Sequence, residues 1–187
     1  MEESPEIQIN GPPPEEESRI IKAVKRALII LISLILIFLF LSYLLPSYNF
    51  FSIVAGRLES YEINDNTIIL KNNEKIIFQN NSYNDLAEIY YDNQQHEFKV
   101  CLIGEKKESD YLIKKVQVPK IIAQDFSSVT AEPCSSNAII SLHSHPYKSC
   151  FLSMHDVKGY KQVKNINPDA IIGIICEAKR FNFYGFK

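Results

Sequence analysis

Residues 138–156 read AIISLHSHPYKSCFLSMHD. The first part is a run of apolar residues ending in two histidines one position apart, and the last part opens a helical pattern at Ser153. In a strand, residues i and i+2 project from one face, so His143 and His145 aim both imidazoles at one point. Pro146 ends that strand. Two converging imidazoles make half a zinc site, which takes nitrogen, sulfur or carboxylate donors in tetrahedral array. Asp156 falls within the first turn of the helix, where its carboxylate closes the site and leaves a fourth position for water. Taken alone, Ser153-x-x-Asp156 reads as a variant capping box and HxH as a surface or core pair. Joined as HxHP, six residues, then SxxD, they concentrate three of the chain's four histidines in one strand–loop–helix unit.

Around this unit the pattern is that of an α/β domain. NTIILKNNEKIIFQ holds two short apolar runs flanking Asn72 and Asn73, a hairpin signal. SYNDLAEIYYDNQQ follows as a helix with Ser82 as its expected N-cap. FKVCLIG and YLIKKVQV read as strands, succeeded by an irregular stretch before AIISLH. MHDVKGYKQVKN reads as a helix, Pro168 ends the connection, and AIIGIIC and RFNFYGF are the last strands. VCLI, AIISL and AIIGIIC are continuously apolar, the signature of strands covered on both faces. A mixed sheet flanked by helices is therefore expected.

The N-terminal third differs. Residues 1–18 hold four prolines and six glutamates, with too little apolar surface to offset the entropy of ordering, and read as a disordered tail. Arg19, Lys22, Lys25 and Arg26 then precede an uncharged run, Ala27 to Leu45, that as a helix spans about 28 Å, enough to cross a bilayer. The run is apolar all round, unlike the usual core helix, and longer than the apolar core of a signal peptide. Only Arg57 follows it closely, so the positive-inside rule places the N-terminus in the cytoplasm and the C-terminal part outside. Tyr43, Tyr48, Phe50 and Phe51 suit an interfacial aromatic belt, and Pro46 a helix stop. The expected organisation is a tail over 1–18, a basic segment and membrane helix over 19–56 (span 27–45), and one domain over 57–187.

A net charge of −2 gives no electrostatic footprint for nucleic acid. The four cysteines form no CxxC pair, which excludes a zinc ribbon or thioredoxin-type motif. A nucleobase deaminase needs HxE and a later PCxxC; Pro133-Cys134 precedes the histidines and has Asn137 where a second cysteine is required.

HSHP at 143–146, YKSCFL, and SMHD at 153–156 match without a gap the motif of the JAMM (MPN+) zinc metalloproteases, and the chain over most of residues 80–187 resembles that family. The resemblance implies a cytidine-deaminase-like mixed β-sheet flanked by helices. It also implies zinc on His143, His145 and Asp156, and Ser153 as an oxyanion donor. The family's upstream glutamate falls on Glu97 in HEFKVCLIGE, with Leu102 and Gly104 in register and Val100 where glycine is usual. Glu88 and Glu105 are its competitors. Glu97 would move the proton of an activated water, and the implied substrate is a peptide or an isopeptide-linked ubiquitin-like modifier. The alternatives are a non-catalytic MPN-type scaffold, a peptidase acting on extracytoplasmic peptides, and the family's DNA-repair-associated branch, against which the membrane span and absent basic patch argue.

Cys101 and Cys176 lie in apolar strands, where buried free thiols are common. Cys150 lies in the loop between the histidines and Ser153, near the expected course of the strand ending at Cys176, so a Cys150–Cys176 disulfide is the expected brace for that loop. Cys150 as an extra metal ligand is the weaker alternative. His155 is expected to face solvent or stand behind the ligands, and Asn80-Asn81-Ser82 is a glycosylation sequon if the domain is exported.

Overall fold

The computed structural model describes residues 19–44, 48–145 and 149–185. The tail 1–18, Pro46 and Pro146 lie outside these, as do the side chains of Tyr43, Tyr48, Phe50 and Phe51. The chain divides into two units, Met1–Pro46 and Ser47–Lys187. In the first, α1 (Arg19–Leu44) is one continuous helix. Its stretch Arg19–Ser42, which holds an 18-residue segment of mean hydropathy 2.6, is long and apolar enough to cross a membrane. Its apolar side chains, among them Leu28, Ile32, Ile35 and Phe38, are exposed rather than packed in a core.

The second unit is a mixed α/β domain. Its elements are α2 (Tyr48–Glu59), β1 (Tyr61–Glu62), β2 (Thr67–Ile69), β3 (Lys75–Phe78), α3 (Ser82–Asp92), β4 (Lys99–Lys107) and β5 (Asp110–Gln117). They continue with β6 (Ile121–Gln124), β7 (Val129–Ala131), β8 (Ala138–Ser144), α4 (Met154–Ile166), β9 (Ile171–Glu177) and β10 (Arg180–Tyr184). Eight strands form one sheet in the order β1-β10-β9-β8-β4-β5-β3-β2, with β8–β9 and β3–β5 parallel and the rest antiparallel. The central strands β4, β8 and β9 are those with continuous apolar runs, as covering on both faces requires.

Alternation divides the work of the sheet between its faces. On one face Phe98, Val100, Leu102, Ile140, Leu142, Ile171, Ile175, Phe181 and Phe183 join the main core, which α3 covers with Leu86. Each such side chain contributes about 1.5–3 kcal/mol by leaving water. Tyr83 meets Phe78 edge-on and Tyr90 meets Phe98 in the same way, while their hydroxyls donate to the carbonyls of Ala178 and Cys176. The opposite face carries the odd-numbered positions 97, 99 and 101 of the β4 segment, and α4 stands over it without burying any residue fully.

Several sequence expectations change. Ser82 is not the N-cap of α3: that position is Asn81, and the buried Ser82 hydroxyl donates to the carbonyls of Gln79 and Ile113, tying the helix to β5. The stretch read as irregular contains the β6–β7 hairpin, a separate two-stranded sheet. Its strands are short and mostly exposed, so no apolar alternation marks them in the sequence. α2 runs across position 57 and belongs with the second unit, its aromatic start having read as an interfacial belt.

All four cysteines are paired. Cys150 is bonded to Cys176, with Cα atoms 5.3 Å apart. Cys101, read as a buried thiol, is instead bonded to Cys134, Cα to Cα 5.6 Å. The partner precedes β8 in a segment without periodicity, so only tertiary pairing identifies it.

Gly104 lies where the register of β4 shifts against β5, and a Cβ there would run into the carbonyl of Leu112, which has no flexible side chain to move aside. Gly104→Ala is expected to lower stability by about 2 kcal/mol or more, read as a lower thermal midpoint; an unchanged midpoint would show that the two strands separate freely at this point.

Candidate metal centre

The antiparallel register of β4 on β8 places Lys99 opposite His143 and Val100 opposite Leu142. Phe98 and Ser144 seal the end of this ladder: the Ser144 amide donates to the Phe98 carbonyl (2.9 Å) and the Phe98 amide donates to Ser144 Oγ (3.0 Å). Ser144, the residue between the histidines, therefore faces away from them and holds Glu97's neighbour in place. Glu97 is itself fixed by its backbone, donating to the Asp125 carbonyl and accepting from Gln124 Nε2. Sequence reasoning missed Ser144, although strand alternation alone puts it on the face opposite His143 and His145.

The histidine and aspartate side chains meet closely. His143 Nε2 and His145 Nε2 are 3.0 Å apart, His143 Nε2 lies 3.0 Å from Asp156 Oδ1, and His145 Nε2 lies 3.1 Å from Asp156 Oδ2. Four tetrahedral donors at zinc distances of 2.0–2.1 Å are about 3.3 Å from one another, close to these separations. Glu97, His143 and His145 also form a set whose donor atoms all lie within 4.8 Å of one another. The four side chains can thus supply three donors in two overlapping ways, His143 and His145 being common to both.

Asp156 is held by the helix that carries it. Ser153 caps α4 in extended conformation and its Oγ accepts from the Asp156 amide (3.2 Å), while Asp156 Oδ2 accepts from the Ser153 amide (2.7 Å). The capping box and the histidine contacts coexist because Oδ2 has lone pairs for both the Ser153 amide and His145, while Oδ1 faces His143. Ser153 Oγ uses a lone pair for the cap, which leaves its proton available to donate.

The loop between His145 and Ser153 is anchored at Cys150. Its carbonyl accepts from Asn182 Nδ2 (3.0 Å) and Tyr184 Oη (3.1 Å), and its sulfur is bonded to Cys176 of β9. This engagement removes Cys150 from the candidate ligands. His155 is exposed on the cavity rim, and its side chain makes no hydrogen bond or ion pair with the described residues. Glu88 is exposed on α3, and Glu105 is exposed and paired with Lys114 at 2.9 Å, so neither competes with Glu97.

These groups open into a cavity of about 640 Å³ between β4, β8, α4 and the segment 127–135 that includes β7. Burial pushes the Glu97 carboxyl up to about 7, with the His145 charge opposing and Asp156 adding to the rise. Burial lowers His143 despite its bond to Asp156, which favours the neutral imidazole. Burial alone would raise Asp156, but hydrogen bonds from His143 and His145 outweigh it and hold the carboxyl well below the usual range. Neutral imidazole and ionised carboxylate are the forms a divalent metal requires, so the donor set fits one. Burial also lowers Lys99.

Because its folded pKa is raised, Glu97 retains a proton that the unfolded chain has released, so its contribution to stability falls as pH rises from about 4.5 to about 7. After discounting for solvent screening, this amounts to something on the order of 2 kcal/mol above pH 7. In metal-free protein, Glu97→Gln is expected to be the more stable form at pH 8, with the advantage gone by pH 4; a difference constant across that range in thermal melts would contradict the assignment. No protein-family model and no curated protein matches this chain, so the reading of the centre rests on its residues and their geometry.

Proposed function

We propose that the chain is a membrane-anchored, zinc-dependent hydrolase of the JAMM type that cuts peptide or isopeptide bonds, its domain having that family's cytidine-deaminase-like fold. The observation that carries the proposal is the convergence of His143, His145, Asp156 and Glu97 in one cavity, on a chain with the uninterrupted HxHP, six-residue, SxxD spacing. The completeness of that set favours an enzyme over a non-catalytic scaffold.

Zinc is assigned to His143, His145 and Asp156, because these make the closest mutual approach and leave Glu97 free beside them. The metal supplies Lewis acidity, making water acidic enough to ionise near neutral pH and polarising a carbonyl. Glu97, with a pKa of about 7, is matched to accept the proton of the attacking water and return it to the leaving amine at neutral pH. Ser153 donates its free hydroxyl proton to the oxygen that gains charge, where one donor is commonly worth about 3 kcal/mol. Asp156 orients both imidazoles and fixes Ser153 through the shared capping box.

Zinc at one equivalent per chain is expected, lost in His143→Ala and in Asp156→Ala. Glu97→Gln should keep the zinc and lose about 100-fold or more in hydrolysis of isopeptide- and peptide-linked substrates. Loss of zinc in Glu97→Gln would instead make Glu97 a ligand. Ser153→Gly preserves helix capping to within a few tenths of a kcal/mol and should still lower turnover about 100-fold. A chain that binds no zinc would remove the proposal.

The domain is assigned to the extracytoplasmic side, because the basic residues Arg19, Lys22, Lys25 and Arg26 lie at the N-terminal end of α1, ahead of its apolar run, and because two disulfides are characteristic of oxidising compartments. The substrate is then an extracytoplasmic peptide or amide rather than a cytosolic ubiquitin-like conjugate. In whole cells, external protease should cleave residues 57–187; protection there, with cleavage from the cytoplasmic face, would restore the modifier-removing reading.

A further inference from the structure

Lys99 is unused by this chemistry and stands inside the same cavity. It is two residues from Glu97 on one face of the strand and pairs across the ladder with His143, so it lies beside the metal centre. The next position on that face is Cys101, bonded to Cys134, which lines the cavity. Lys99 thus stands between Glu97 and the disulfide-bonded Cys101 along that face of the strand.

What sets Lys99 apart is that no group among the described residues neutralises it. Lys106, the other half-buried lysine of β4, lies 3.6 Å from Glu74 and donates to the Tyr111 hydroxyl at 3.1 Å. Among the described residues the Lys99 ammonium has no hydrogen bond or ion pair, and the two carboxylates that line the cavity there, Glu97 and Asp156, belong to the metal centre. Partial burial of an unpaired ammonium is unfavourable unless a ligand supplies the counter-charge. Lys99 is the only lysine or arginine among the described cavity-lining residues, and its neutral companions include Ser141, Ser135 and Thr130. One cation among hydroxyls matches a singly charged carboxylate rather than a phosphate, which draws several cations or a bidentate arginine. The cavity has the volume of small-molecule sites, suited to a short peptide rather than a folded partner.

We propose that Lys99 is a specificity-determining residue that binds a free carboxylate of a short peptide substrate next to the bond to be cut. The role of that carboxylate as part of a substrate rests on the hydrolase reading above; its binding does not. The carboxylate comes either from the C-terminus of the peptide or from an acidic side chain.

The test uses the full chain in detergent micelles, stripped of metal by a chelator so that no metal can bind the probe. Affinities of N-acetyl-glycyl-glycine, its C-terminal amide and N-acetyl-aspartyl amide are measured by titration calorimetry. The free acid is expected to bind about tenfold tighter than its amide, a difference abolished in Lys99→Met and kept in Lys99→Arg. If N-acetyl-aspartyl amide matches the free acid, the inference holds with the carboxylate on a side chain. Equal affinities for the acid and both amides in the unmodified protein overturn it, whatever the folding of the variants. Zinc content of the same preparation before stripping separates the two proposals: zinc without carboxylate preference removes only the role of Lys99, and preference without zinc removes only the hydrolase.

Discussion

The pairing of β4 with β8 is the constraint on which the rest of the domain depends. With Lys99 opposite His143, and Phe98 and Ser144 exchanging hydrogen bonds at the end of the ladder, Glu97 and both histidines reach the same face. A one-residue slip would turn one set of side chains into the core and leave the other behind. That register is enforced from the other face, where Phe98, Val100, Leu102, Ile140 and Leu142 are packed among the side chains of α3 and β10. The apolar half of each strand thereby positions its polar half, and the site draws its geometry from a core it does not touch.

A second requirement is that Asp156 reach across from α4, a helix with little buried surface of its own. Two devices compensate. The capping box fixes the first turn of the helix relative to Ser153, and the Cys150 carbonyl and disulfide pin the preceding loop to β9 and β10. Asp156 then offers one oxygen to each imidazole while still serving the cap. The resulting cluster is pre-organised, with neutral imidazole and ionised aspartate already favoured by burial and hydrogen bonding.

Much of this arrangement was readable in the residues. The strand period places His143 and His145 together, SxxD signals the start of α4, and continuous apolar runs mark the central strands. What escaped the sequence was whatever lacked period or depended on a distant partner. The β6–β7 hairpin is short and exposed, Cys134 pairs across 33 residues, and Ser82 exchanges an expected cap for a bond to β5. Lys99 also carried no signal, because a lysine in a strand ordinarily reads as a solvated position.

The sequence by itself determined the class of the domain, the candidate donors and the apolar helix, because hydrophobic period and donor spacing are local properties. Only the tertiary structure decided that Glu97, 46 positions before His143, shares their cavity, and that Lys99 stands there without a counter-ion among the described residues. Cross-strand register sets which side chains meet, and which charges go unpaired follows from everything packed around them, which no stretch of the chain encodes alone.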